Sequence, residues 1–190
     1  MTARSLINCE APLPADWART LVIAVGNPSR GDDAVGPLLA DRLTSWLSNE
    51  ARTPDGSAPH DVAVICDQQL MVEHAYDLRD RDRVLFIDAA AKQGEPVQWQ
   101  PIEASASGPT LSSHQCTPSQ LLHLCAHTLQ IPAPPAWLLS LHGEGFELGA
   151  PVSAAMQAAM AQAWDEILAW VATPEVNGQP VRPAAAPHHA

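Results

Sequence analysis

Residues Leu21 to Leu43 restrict the fold of this chain more than any other stretch. Leu21-Val22-Ile23-Ala24-Val25 is an unbroken apolar run rich in β-branched residues, the composition of a strand buried on both faces. Gly26-Asn27-Pro28 ends it with three turn-forming residues. Asp32 and Asp33 follow, and then Val35, Leu38, Leu39, Leu43 and Leu47 recur at helical spacing. A strand, a loop bearing two carboxylates and a helix thus follow in immediate succession. In open α/β sheets, ligands bind at loops of this kind, outside the carboxyl ends of strands.

A phosphate-binding loop does not fit. Gly26, Gly31 and Gly36 match neither G-x-G-x-x-G nor a Walker sequence, and two carboxylates at the mouth of a helix repel a phosphate. They favour a cation or a Lewis-acidic metal. The plainer alternative is that Asp32 and Asp33 only complement the positive end of the helix that follows.

The remainder reads as further strand–helix units. Val62 to Cys66 is a second strand, Met71 to Leu78 a short helix, and Arg79 to Arg83 a solvated charged turn. Val84 to Ile87 is a third buried strand stopping at Asp88. Val97 and Trp99 alternate with Gln98 and Gln100 ahead of Pro101, which places this strand at a sheet edge. Thr117-Pro118-Ser119-Gln120 has the threonine cap, first-turn proline and glutamine of a helix start. That helix turns Leu121, Leu124, Cys125 and Leu129 inward, and Trp137 to Leu141 is the next strand. Pro151 and Ser153 open a last helix whose Met156, Met160, Ala163, Ile167, Trp170 and Val171 recur every three or four residues, and Pro174 stops it. The expected fold is α/β: three layers, α/β/α, around a mostly parallel twisted sheet of about five strands, of the phosphorylase/hydrolase-like kind. A loose lead-in (1–18) precedes a single domain (19–173), and a disordered Pro/Ala/His tail (174–190) follows it.

Net charge is −11, which opposes non-specific nucleic-acid binding, since that rests on Lys and Arg neutralising phosphates. No apolar run is long enough for a membrane span, and the first residues show no secretory pattern. Cys9, Cys66, Cys116 and Cys125 form no C-x-x-C pair, as in a reduced, cytoplasmic protein.

Gly26-Asn27-Pro28-Ser29-Arg30-Gly31-Asp32-Asp33-Ala34-Val35-Gly36 after a first strand resembles the G-N-x-x-x-x-D-[DE]-x-x-G pattern of the nickel–iron hydrogenase maturation proteases. The resemblance runs from about Leu21 to Val171. In that family the acidic residue after the first strand, the aspartate closing a strand as D-A and the histidine of an H-Q motif form a metal-contacting cluster. The matching positions are Asp33, Asp88 and His114 (in His114-Gln115), which the resemblance implies as both catalytic and metal-binding residues. Two carboxylates and an imidazole suit a divalent ion of the nickel or zinc type and leave coordination positions open. Two departures stand out. Asp33 is shorter than the Glu of many relatives. Asp67-Gln68-Gln69-Leu70, with Glu73 beyond it, replaces the common D-G-G-T, and is more like proteases serving NAD-reducing, bidirectional hydrogenases.

The resemblance implies an aspartyl-type endopeptidase that removes the C-terminal extension of a hydrogenase large-subunit precursor after nickel insertion. The nickel is expected from the substrate, with no permanent organic cofactor. The precursor is the expected partner, with no nucleic acid and no membrane, and the chain is expected to be monomeric. Two rivals stay open: a zinc hydrolase of a small substrate, and a non-enzymatic nickel- or precursor-binding maturation factor.

Other constellations rank lower. His123 and His127 are four apart on a helix, but Leu124 stands where H-E-x-x-H requires Glu. Cys116 lies near His114 without an identifiable orienting partner and reads as a packing residue. No G-x-S-x-G elbow exists. Glu144 and Glu147 are expected on a mobile rim near the same sheet edge, and His188-His189 belongs to the tail.

Overall fold

A computed structural model describes residues 18–49, 61–91, 94–107 and 116–172; residues 1–17 of the lead-in, His114 and the C-terminal tail lie outside them. The expected elements are present in the expected order: β1 (Thr20–Val25), α1 (Val35–Asn49), β2 (Val62–Asp67), β3 (Arg83–Ala91), β4 (Val97–Ile102), α2 (Pro118–His123), β5 (Ala136–Gly143) and α3 (Ala154–Ala172). The sheet order is β2-β1-β3-β5-β4. β4 runs antiparallel to β5 at one edge and the other pairs are parallel.

Period-two alternation sorts each central strand between two cores. Val22, Ala24, Leu85, Ile87, Leu139 and Leu141 face α1 and α3, where Leu39, Leu43, Met156, Ile167 and Trp170 complete one cluster. Leu21, Ile23, Val25, Val84 and Phe86 face the other way, against Leu70, Leu78, Leu121, Leu122 and Cys125. This is the expected three-layer α/β arrangement. The α2 cap also forms as its sequence predicts. The Gln120 amide donates to Thr117 Oγ1 (3.3 Å), and the Thr117 amide donates to Gln120 Oε1 (3.0 Å).

Three local expectations are corrected. The Met71–Leu78 helix is only a 3-10 turn, Val72–Ala75, followed by irregular turns. β3 continues past Asp88 to Ala91, because β5 pairs with it along that whole length, whereas its pairing with β1 ends at Ile87. Arg83 is not in a solvated turn. It is buried in β3, donates to Thr20 Oγ1 (3.1 Å) and to the Trp170 and Val171 carbonyls (2.9 and 3.0 Å), and stacks on the Trp170 ring. A cation there satisfies the last carbonyls of α3 and complements the negative end of that helix.

Candidate functional site

The β1–α1 loop folds back on the strand that leads into it, and two glycines permit this. Gly36 lies against the end of β1 so closely that a Cβ there would sit 2.0 Å from the Val25 carbonyl oxygen. Gly26 has φ +147, and a Cβ on it would meet the Asp33 carbonyl oxygen at 2.0 Å. The motif's glycines are therefore backbone requirements, and the 3-10 turn Gly31–Ala34 that they accommodate presents the two aspartates.

The two aspartates part company. Asp32 is fully buried and binds the loop between β5 and α3. Its Oδ2 accepts from the amides of Glu144 (2.9 Å) and Gly145 (3.1 Å) and from Ser153 Oγ (3.0 Å), and its Oδ1 accepts from the Ser153 amide (2.7 Å). Burial pushes this carboxyl upward, but the four donors outweigh it and hold the group below the usual carboxylate range. Its own amide donates to the Gly145 carbonyl at 2.7 Å. The Glu144–Glu147 rim is consequently pinned, not mobile: Arg30 also donates to the Phe146 carbonyl (3.1 Å), and the Gly149 amide to Ser29 (2.7 Å). Among the described residues, neither aspartate accepts a hydrogen bond from an amide of α1 in addition to these contacts. The sequence offers no signal for the Asp32 brace, whose partners lie more than a hundred residues away.

Asp33 instead accepts from the Asn27 amide (3.0 Å) and lines an open cleft of about 490 Å³ together with Asp88, Arg30, Gln68, Gln69 and Cys116. The cleft lies outside the carboxyl ends of β1 and β3. From β1 the chain crosses outward to β2 at the edge, and β3 resumes on the other side of β1, so this is a topological switch point. Asp88 sits where the β1 ladder has ended and the β5 ladder continues. Burial pushes its carboxyl up, the Ala89 amide pulls it back, and the charge of Asp33 pushes it up again, to about 7. A carboxyl poised there can take or give a proton near neutrality.

Two of the three expected site residues, Asp33 and Asp88, thus share one cleft. His114 lies outside the described residues, and among those described no group of three or more His, Cys, Asp or Glu could hold a metal. Cys116, two residues after His114, is buried, and burial raises its thiol. It therefore lacks the thiolate character of a nucleophile, in keeping with the packing role. Its amide donates to the Leu70 carbonyl (3.2 Å), joining the start of α2 to the Gln68–Leu70 wall. Sequence reasoning missed His74 behind that wall. Its buried ring accepts from the Met71 amide at Nδ1 (2.9 Å) and places Nε2 3.6 Å from Asp67.

No family model and no curated protein matches the sequence. Solved structures do match the fold. The hydrogenase maturating endopeptidase HybD from E. coli aligns with a TM-score of 0.59 at 21% identity, over 80% of this chain and 90% of that one. The [NiFe] hydrogenase maturation protease HycI from Thermococcus kodakarensis gives 0.57 at 21% identity, over 79% and 90%. The hydrogenase 2 maturation peptidase of a Thaumarchaeota archaeon gives 0.51 at 23% identity, over 79% and 95%.

Proposed function

We propose that this chain, which has the fold of the hydrogenase maturation proteases, is an endopeptidase that removes the C-terminal extension of a nickel–iron hydrogenase large-subunit precursor once nickel has been inserted. The observation that carries the proposal is Asp88, raised to about 7 beside Asp33 in a cleft at the β1/β3 switch point.

Peptide hydrolysis needs a proton removed from water and a proton delivered to the leaving amine. While no ion is bound, Asp88 can serve either task, since its carboxyl changes charge near neutral pH; as a ligand to a cation it is held ionised. The pair also suits a bound cation, since two carboxylates face the cleft and Arg30 is its one cationic lining residue among those described. Asp33 and Asp88 offer two oxygens and His114 an imidazole nitrogen, a donor set appropriate to the substrate's own nickel. When present, that ion polarises the scissile amide or the attacking water, and it anchors the precursor so that the tail is held for cleavage. The Gln68–Leu70 wall faces the same cleft. In this reading the segment Gln69 to Glu73 selects the precursor, of the NAD-reducing, bidirectional kind. The protein acts as a cytoplasmic monomer; Cys66, Cys116 and Cys125 are free thiols, as suits a reducing compartment.

Mixing the protein with nickel-loaded and nickel-free precursor and weighing the products tests this. Shortening of the nickel-loaded form alone is expected, with well under one metal per purified chain. Stoichiometric zinc that survives dialysis, together with cleavage of nickel-free precursor, would instead identify a zinc hydrolase. Binding without shortening would identify a non-enzymatic maturation factor. In the same assay, exchanging Gln69–Glu73 for a D-G-G-T type segment should weaken cognate processing more than folding, and an unchanged precursor preference would remove the segment's selective role.

A further inference from the structure

We propose that His123 and His127 form a metal site separate from the cleft: a two-imidazole chelate for a late first-row divalent ion. It lies on the exposed side of the helical segment whose first residues wall that cleft.

The geometry begins with a change of helix type. α2 ends at His123, and Leu124–Thr128 continues as a single π-helical turn, closed by the Leu129 amide donating to the Leu124 carbonyl at 3.0 Å. In an α-helix, four residues overshoot one full turn by about 40°. With i→i+5 bonding each turn holds more residues, which changes how side chains four apart face one another. His123 and His127 meet across this turn: their ring centroids are 4.4 Å apart and the planes are inclined by 31°. Leu121 and Cys125 hold the opposite side of the segment in the core, which keeps the two rings outward.

Their chemistry fits a metal better than it fits a structural role. His123 is half-buried and His127 exposed. Neither imidazole hydrogen-bonds or ion-pairs with any described residue, so each has a ring nitrogen to offer. Two His–metal bonds of about 2.1 Å to a shared ion place their nitrogens about 3 Å apart, which rings at this spacing reach by tipping toward each other. The negative end of the helix lies in the same turn and favours a cation. With two protein ligands and water in the remaining positions, binding is weak and exchangeable. Its order is set by ligand type: Cu²⁺ above Ni²⁺ and Zn²⁺, these above Mn²⁺, and no affinity for Mg²⁺.

The test titrates Ni²⁺ into the full-length protein and follows every histidine ring by NMR. The His123 and His127 signals should broaden together, ahead of His188 and His189, and Mg²⁺ should leave them unchanged. Because the site is a chelate, His123→Ala should weaken Ni²⁺ binding at His127 at least tenfold, and His127→Ala should do the same at His123. The melting temperature of either metal-free variant should match that of the parent. Independent broadening of the two rings, single variants that leave the surviving ring's affinity unchanged, or earlier saturation of the tail histidines would each overturn the proposal.

Discussion

The brace around Asp32 and the cleft around Asp88 both withdraw a carboxyl group from water, and they do opposite things to it. Asp32 has no exposed surface, yet four donors from Glu144, Gly145 and Ser153 keep it ionised. Asp88 rises to about 7, because burial pushes it up and Asp33 opposes its charge, while among the described residues the Ala89 amide alone supports it. Whether a buried carboxylate is charged therefore depends on how strongly burial acts on it and on the donors aimed at it, taken together. A satisfied carboxylate holds loops in place. An unsatisfied one is available for a proton or a cation.

If that contrast is right, the largest effect belongs to the cleft. Asp33→Asn, Asp88→Asn and His114→Ala should each reduce precursor processing by about a thousandfold or more, in the range seen when a catalytic group is removed, while near-ultraviolet circular dichroism stays native. A variant that processes at the parental rate would strike its residue from the site.

The brace should fail by unfolding. Asp32→Ala strands several buried donors, and on the order of 3–5 kcal/mol of stability should be lost, measured by urea denaturation. Asp32→Asn should fare little better, because its NH2 group would face N–H or O–H donors on one side. Since the folded-state pKa of Asp32 is depressed, its contribution is present above the unfolded value of about 3.9 and disappears as pH falls through the folded value. The parent should therefore show an acid-unfolding limb that Asp32→Ala lacks. Retention of that limb in the variant would assign acid unfolding to other groups.

The smallest effect has the opposite sign. A raised folded-state pKa means that Asp88 binds its proton more tightly in the folded than in the unfolded chain. Its ionisation thus erodes stability as pH climbs from about 4 to about 7, and the deficit is constant above that. Asp88→Asn should match the parent near pH 4 and exceed it at pH 8, by about 1–2 kcal/mol after allowance for solvent screening. Equal stability at both pH values would mean that Asp88 is better solvated than its place in the cleft implies. Activity lost with stability gained is the expected signature of a strained functional group.

Much of the architecture could be read locally. The β1 run, the Thr117–Gln120 capping box and the α3 stripe each encode an element within a few residues, because hydrophobic period and cap chemistry act over one or two turns of chain. The acidic loop after β1 was legible for the same reason, and so was the edge position of β4, through Pro101; the strand end expected at Asp88 was not, since β3 runs on to Ala91 beside β5. The 3-10 turn at Val72–Ala75 and the π-helical turn at Leu124–Thr128 were not, since both depart from the period that a regular pattern implies.

What the residues determined unaided was the succession of strands and helices and the presence of carboxylates in the loop after β1, since each depends on neighbours in the chain. The tertiary structure alone decided which carboxylate would be spent on structure. Asp32 and Asp33 are adjacent and chemically identical, and they differ only because the sheet order carries the β5–α3 loop to one of them and leaves the cleft to the other. Arg83 shows the same dependence: its charge is tolerable inside because the end of α3, nearly ninety residues on, brings two carbonyls to it. Hydrogen-bond donors and acceptors supplied from so far along the chain leave no local pattern, so the state of a buried charge is settled only when the layers pack.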